Sequence, residues 1–302
     1  MILCADIGGT SVKLGLCDKN GTLHATAEAS VSFDHYQTPI IDTVIREAKA
    51  FLAAHPCVLE GIGVSATGQV DSRLGAIVGT NGKIANYEGT NVKARMEEAF
   101  AVPCEVLNDA NAALLGEVFC GGAQKERNVV MLTLGTGVGG GVLVDGRLLT
   151  GHGGIAGEMG HFTLYQNGIP CPCGKRGCYE SYASTTALIR AAEEATGETG
   201  LNGRILFERI HAGDHTLQAV LDHWLDDIAA GITGLVHIFN PELILIGGGV
   251  SRQEEMLLAP LRRRVLGGVM PRFAQGLRVE SAVLGNDAGL LGAARFFMDT
   301  HH

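Results

Sequence analysis

No apolar run in this chain reaches the roughly 18 residues that a membrane span requires, and no signal peptide opens it. Neither a membrane protein nor a secreted one is expected. Basic residues are also sparse: 23 Lys and Arg stand against 32 Asp and Glu, for a net charge of −9. No basic cluster exceeds Arg262-Arg263-Arg264. Without a basic patch there is no electrostatic footprint for nucleic acid, and those three arginines are expected on a solvated helix face. Eight cysteines are too few for a disulfide framework across 302 residues, and three of them sit close together. Cys4, Cys17, Cys57, Cys104 and Cys120 are expected to be reduced core residues. His301-His302 is set aside as a tag remnant. What is left is a soluble cytoplasmic enzyme, in two domains or one large one.

The densest chemistry lies in residues 157–180. Gly157-Glu158-Met159-Gly160-His161 is followed after nine residues by Cys171-Pro172-Cys173, and then by Gly174-Lys175-Arg176-Gly177-Cys178-Tyr179-Glu180. One imidazole and three thiols can close a tetrahedral Cys₃His site, the ligand set of a structural zinc, with no position open for an attacking water. Gly174 and Gly177 supply the tight turns that a short metal loop needs. The alternative is that these are ordinary buried thiols and a core histidine. Glu158 and Glu180 flank the cluster and are free to face something else.

Glycine is abundant, at 43 residues, and it gathers at turns after apolar strands. Ile2–Ile7 runs through Asp6 into Gly8-Gly9-Thr10 and returns from Val12; Val129–Leu134 runs into Gly135-Thr136-Gly137 and returns through Val142. Each reads as a β-hairpin whose tip exposes backbone N–H groups, an anion nest. Asp6 and Thr133 correspond at an offset of 127 residues, so the chain reads as two copies of one unit, suited to gripping a phosphate chain. Either hairpin alone is weak evidence. A third turn, Gly247-Gly248-Gly249 after Glu242–Ile246, reads as a strand end opening a helix near Gln253, where only glycine lets a flat ring approach the backbone. Asn108-Asp109-Ala110-Asn111 begins a helix running to about Cys120, and Asn286–Ala294 reads as a capped helix with small residues on its packing face. Further helices are expected over 46–54 and 216–239.

The hairpins, Gly247-Gly248-Gly249, the Asn108-Asp109 pair and the His161/Cys171/Cys173/Cys178 cluster together resemble the ROK family of bacterial sugar kinases and sugar-responsive repressors. The likeness runs from Asp6 to about Ala294. It implies an α/β, two-domain actin-like ATPase fold, related to ribonuclease H, with an active-site cleft between the domains. The smaller domain is expected over 1–115 plus 286–300, and the larger, with the zinc loop and the adenine turn, over 116–285. The same resemblance implies an ATP-dependent kinase that transfers the γ-phosphoryl of Mg-ATP to a sugar hydroxyl, O6 of a hexose or hexose derivative, with a structural Zn²⁺ and a homodimeric assembly.

By this resemblance Asp6 holds Mg²⁺ through water, while Gly8, Gly9 and Thr10 face the transferred phosphoryl. Gly135, Thr136 and Gly137 bind the remaining phosphates, and Gly247, Gly248 and Gly249 bind adenine. Asp109 accepts the proton of the sugar hydroxyl, and Asn108, Glu158, His161 and Glu180 hold the other hydroxyls. Phosphoryl transfer needs alignment, charge neutralisation and one modest base, and a helix start favours a carboxylate. Asp109 can equally serve as a plain N-cap. A bulky residue at Gly137 is expected to obstruct the phosphate turn, on the supposition that φ there is positive or that ligand touches the backbone.

Three other readings compete. Repressors of this family carry a helix-turn-helix ahead of the first hairpin, and five residues before Asp6 leave no room for one; a non-catalytic sugar sensor would not need both Asp6 and Asp109; an actin-like scaffold would not need Glu158, His161 and Glu180. Substrate stays open among glucose, other hexoses, N-acetylhexosamines such as N-acetylmannosamine, and β-glucosides. Thr67 stands where many relatives have proline. The segment with Gly82, Ile84 and Tyr87 resembles the β-glucoside kinase branch, and Lys83 stands where glucokinase-like members have a sugar-binding asparagine, or is simply a solvated loop lysine.

Overall fold

A computed structural model describes residues 1–80, 84–251 and 253–301. Lys83 and Gly82 therefore lie outside the described residues. The chain divides into two compact units: Met1–Lys125 with Leu148–Gly157 and Val283–His302, and Glu126–Arg147 with Glu158–Ala282.

The first unit is built on β1 (Ile2–Ile7), β2 (Ser11–Cys17), β3 (Leu23–Ser30), α1 (Ile40–Ala54), β4 (Gly61–Ala66), β5 (Gln69–Asp71), β6 (Ala76–Gly79), α2 (Val92–Phe100), β7 (Cys104–Asn108) and α3 (Asp109–Cys120). Its sheet runs β3-β2-β1-β4-β7, antiparallel through β3, β2 and β1 and parallel from β1 to β4 to β7. β4 is buried at all six positions, as a strand covered on both faces must be. α1 starts six residues before the expected 46, directly after Pro39, whose missing N–H costs nothing at a helix start.

The C-terminal helix, Ala288–His301, packs on α3, β1 and β4 through small residues. A Cβ on Gly292 would lie 1.7 Å from the Ala112 carbonyl oxygen, and one on Gly63 would lie 2.2 Å from that of Ala293. This packing explains why the first unit extends to Lys125 rather than to about 115: cutting there would split α3. It also takes in Leu148–Gly157, a segment expected in the larger domain. Ser72 donates to Gly154 O and Asn111 to Ala156 O, and these bonds hold it. His301 is no mere appendage, since its ring stacks on Phe297 and Nε2 lies 3.0 Å from Glu105 Oε1. Gly292→Ala is expected to lower the melting temperature, even though alanine gains about 1 kcal/mol over glycine in helix propensity. An unchanged or higher melting temperature would show that the helix simply backs away.

The second unit carries β8 (Val129–Leu134), β9 (Val138–Val144), β10 (Arg147–Leu148), α4 (Glu180–Ala183), α5 (Thr185–Thr196), α6 (Gly203–His211), α7 (His215–Phe239), β11 (Leu243–Gly247), α8 (Ala259–Gly268), α9 (Pro271–Ala274) and β12 (Arg278–Ser281). Its sheet order, β10-β9-β8-β11-β12, repeats that of the first unit, with β8 and β9 antiparallel and β8, β11 and β12 parallel. The duplication read from two hairpins therefore extends to whole sheets. Buried residues of α7, including Leu221, Trp224, Leu225, Ile228 and Ile232, belong to the same core as the buried residues of β8 and β11, and the helix packs on α5 and α8. The three arginines do begin on α8, but Arg264 is not a solvated group: it pairs with Asp222 and Asp226 of α7. All eight cysteines are unbridged; Cys57 is exposed and Cys120 half-buried, so only Cys4, Cys17 and Cys104 of the expected five are buried.

Candidate functional site

In the first unit the C-terminal ends of three neighbouring parallel strands converge, the edge where α/β sheets place ligands. Asp6 is the last residue but one of β1, Ser65 lies opposite it on β4, and Asn108 ends β7 opposite Ala66. Asp6 and Asn108 are thus two strand spacings apart, about 10 Å. Ser65 donates to Asp6 Oδ1 at 2.6 Å, and Lys13 is its cross-strand neighbour on β2. Burial pushes the Asp6 carboxyl up, against the opposing pull of Ser65 and Lys13. A Cβ on Gly289 would come within 2.8 Å of that carboxylate, so the first turn of the C-terminal helix meets Asp6 with bare backbone and its positive dipole end.

Asn108, not Asp109, caps α3: its Oδ1 accepts from Ala110 N and Asn111 N. Its amide donates to Gly68 O at 3.0 Å and to Asp109 Oδ1 at 2.9 Å. Both amide hydrogens and both lone pairs are engaged within the chain, so Asn108 reaches a sugar hydroxyl only by giving up one of these bonds; as it stands it aims Asp109. Asp109 is exposed at the first helical position and also accepts from Ala110 N. Gly8, Gly9 and Thr10 form the tip of the β1–β2 hairpin, closed by Gly8 N donating to Ser11 O at 2.9 Å. The Tyr36 hydroxyl donates to Gly9 O at 2.7 Å. Ser65, Gly289 and Tyr36 escaped the sequence reading. Ser65, a polar residue in an otherwise apolar strand, was the one with a signal, because a fully buried hydroxyl needs a partner.

In the second unit Gly135 and Thr136 of the hairpin tip and Gly249 line a cavity of about 530 Å³, together with Thr185, Thr186, Ile189, Arg190 and Leu201 among others, within the range of ligand pockets. Thr186 Oγ1 donates to Thr136 O at 2.8 Å and Thr185 N to Gly135 O at 2.9 Å, which tie the tip to α5. The three glycines of the third turn have different tasks. Gly248 has φ +99° and a Cβ there would strike Leu134 O at 2.1 Å; one on Gly247 would meet Met131 Cε at 2.9 Å; one on Gly249 would enter open space. Only Gly249 faces the cavity.

His161 lies in a 3₁₀ turn, Met159–His161, and its Nδ1 is 3.6 Å from Cys171 Sγ, while Cys173 Sγ and Cys178 Sγ are 3.6 Å apart. All four ligand atoms fall within 4.8 Å of one another. Tetrahedral zinc with 2.3 Å bonds needs sulfur pairs about 3.8 Å apart, so the cluster fits the metal. Gly174 and Gly177 turn the loop at φ +84° and +75°. The other ring nitrogen, Nε2, faces Glu158 Oε2 at 3.8 Å, beyond hydrogen-bond range. Burial pushes the Glu158 carboxyl up, with Glu180 adding to it and His161 opposing.

Glu180, first residue of α4, joins this cluster to the phosphate turn. Its Oε1 accepts from Cys171 Sγ and its Oε2 from Val138 N at 3.2 Å. The φ of Gly137 is not positive, and a Cβ there would lie 2.3 Å from Glu180 Oε2. The obstruction expected at the phosphates therefore falls first on Glu180. Because the neighbour is the end of a flexible side chain, Gly137→Val should leave the melting temperature nearly unchanged and raise the sugar KM, read by steady-state kinetics. An unaltered sugar KM would detach Glu180 from the sugar.

Against known proteins, the chain is 32% identical to the glucokinase of Thermotoga maritima over 97% of this chain and 96% of that protein. It is 32% identical to a β-glucoside kinase of Klebsiella pneumoniae over 98% and 95%. Its fold overlays that of a ROK family glucokinase from Streptomyces griseus in complex with glucose and AMPPNP, with a TM-score of 0.81 and 30% identity over 98% of each chain. The sequence pattern of the ROK family matches residues 2–300, and the chain, with its paired sheets and Cys₃His loop, belongs to that family.

Proposed function

We propose that this protein phosphorylates O6 of a hexose or hexose derivative from Mg-ATP, with Asp109 as general base. The coarser statement stands on its relatives: at 32–34% identity to glucokinases over 95% or more of its length, it is a carbohydrate kinase, and kinases of this kind use ATP. The observation that carries the finer reading is the strand edge of the first unit, where Asp109, held by Asn108 and Ala110 N, follows β7 at the same sheet edge as Asp6 on β1, with β4 between the two strands.

Asp109 would take the hydroxyl proton as the sugar oxygen attacks, a step that needs one modest base. Asp6, an oxygen donor suited to a hard cation, would hold Mg²⁺ through water, and that ion when bound neutralises phosphate charge. Gly8, Gly9 and Thr10 would present backbone N–H groups to the transferred phosphoryl, and Gly135, Thr136 and Gly137 to the other phosphates. Gly249 would lie against adenine, with Gly247 and Gly248 shaping the turn beneath it. Glu158, His161 and Glu180 would hydrogen-bond sugar hydroxyls, and the 3.8 Å gap between His161 Nε2 and Glu158 is one that a hydroxyl can bridge. His161, Cys171, Cys173 and Cys178 would hold a structural Zn²⁺. A cytoplasmic homodimer without nucleic-acid partners completes the proposal; among the described residues no helix is long and apolar enough to cross a membrane.

Sugar-dependent ADP release from Mg-ATP, measured across glucose, mannose, N-acetylmannosamine and a β-glucoside, tests it, with the phosphorylated position read by NMR. ADP release without sugar dependence would favour the scaffold reading, and sugar binding without turnover the regulator.

A further inference from the structure

Between β3 and α1 the chain takes an uncommon backbone. His35 and Tyr36 adopt φ +55° and +62° in succession, left-handed values that residues with a side chain disfavour and that only the surroundings can hold. Asp34 helps to hold them, its Oδ2 accepting from Thr38 N at 2.8 Å, and His35 N donates to Ser32 O. A turn of this shape favours glycine, yet here it carries a tyrosine. The Tyr36 ring packs on the core of the first unit, and its hydroxyl donates to Gly9 O at 2.7 Å, at the tip of the β1–β2 hairpin.

That bond fixes a peptide plane. A trans peptide points its C=O and N–H in opposite directions, so anchoring Gly9 O on Tyr36 turns the Thr10 N–H away from Tyr36, to the other side of the tip. The next carbonyl is held by the same segment, for Thr10 O accepts from Val31 N at 2.9 Å. Among the described residues neither Gly9 N nor Thr10 N has an acceptor, and Thr10 is exposed. Carbonyls tied back with N–H groups left free is the arrangement of an anion nest.

Resting on the reading of this hairpin as the phosphoryl site, we infer that Tyr36 is a positioning residue for phosphoryl transfer: its hydroxyl holds the Gly9–Thr10 peptide so that the Thr10 N–H is preset toward the transferred phosphoryl. Left unanchored, a peptide that follows glycine can rotate and bring its carbonyl, a partial negative charge, to the anion. Presetting counts most in the transition state, where donors aligned in advance stabilise charge without reorganising. The unfavourable backbone at His35 and Tyr36 is the cost of keeping the hydroxyl in place.

Tyr36→Phe tests this, since it keeps the ring and removes the donor. kcat is expected to fall roughly 10-fold, less than the roughly 10²- to 10³-fold lost when an oxyanion donor is deleted outright, because the N–H remains and only its aim is lost. The sugar KM, the melting temperature and the affinity for MgADP alone should stay near wild type. The sugar-dependent complex of MgADP with aluminium fluoride, a mimic of the phosphoryl in transfer, should weaken by about the same factor as kcat. Wild-type kinetics, or a loss spread equally over sugar, MgADP and melting temperature, would overturn the inference, the second because it marks a residue that only packs. Amide resonances of Gly9 and Thr10, from protein labelled with ¹⁵N at glycine and threonine, report on the hairpin itself. If they ignore the fluoride complex in the wild type, the hairpin reading fails and the inference with it; if they move and Tyr36→Phe turns over like wild type, only the inference fails.

Discussion

Asp109→Ala should lower kcat by roughly 10²- to 10⁴-fold, the range for removing a general base, which is about 3 to 5 kcal/mol of transition-state stabilisation. ATP affinity should hardly change, because the residues proposed for the nucleotide, Gly8 to Thr10, Gly135 to Gly137 and Gly249, do not include Asp109, whose carboxylate accepts from Asn108 Nδ2 and Ala110 N. Stability should change little as well, since Asn108 rather than Asp109 caps α3. Asp109→Asn is the sharper control. Its side-chain oxygen can still accept from Ala110 N, but it cannot take a proton, so it should be as inactive as the alanine variant. Near wild-type turnover in either folded variant would remove Asp109 as the base.

Loss of the metal is the second large effect. Cys173→Ser is the preferred variant, because Cys173 is exposed while Cys171 and Cys178 are buried, and the change removes a ligand with little repacking. A structural metal lost from a unit of this size should lower the melting temperature on the order of 10 °C, so affinities must be measured well below it. Sugar KM should rise first, because His161 and Glu158 lose their anchor. Confinement to the sugar, which the separation in sequence suggests, is not expected: Glu180, two residues after Cys178, accepts from Val138 N, and Gly160, beside His161, packs against the Val138 carbonyl with room for no Cβ. ATP affinity should fall as well, by a smaller factor. Equal losses for both ligands would mean that the metal only supports the unit, and purified protein without metal would defeat the assignment.

Some departures from the sequence reading share a cause. Gly137 was read through a positive φ or a ligand against its backbone; its φ is not positive, and the group that a side chain there would displace is Glu180, whose carboxylate arrives from 42 residues along the chain to Val138. Asn108 was read as a sugar ligand, and its side chain also joins Gly68 O, Asp109 and the helix start. Gly247, Gly248 and Gly249 were read as one adenine platform, and they divide into a packing residue, a left-handed turn and an open floor. In each case residue type and position were legible, and the partner that sets the task was not.

By itself the sequence determined whatever is local: two glycine-tipped hairpins after apolar strands, a Cys₃His set within eighteen residues, and an aspartate at a helix start. Such features need only the chain's own turns, whose chemistry is set by adjacent residues. Tertiary structure alone decided that Ser65 meets Asp6 across 59 residues, that bare Gly289 lets a helix end approach that acid, and that Tyr87 buries a hydroxyl without a hydrogen-bond partner among the described residues. Those contacts depend on strand order and helix docking, which arise from burying apolar faces across the whole unit and leave no periodic mark in the sequence.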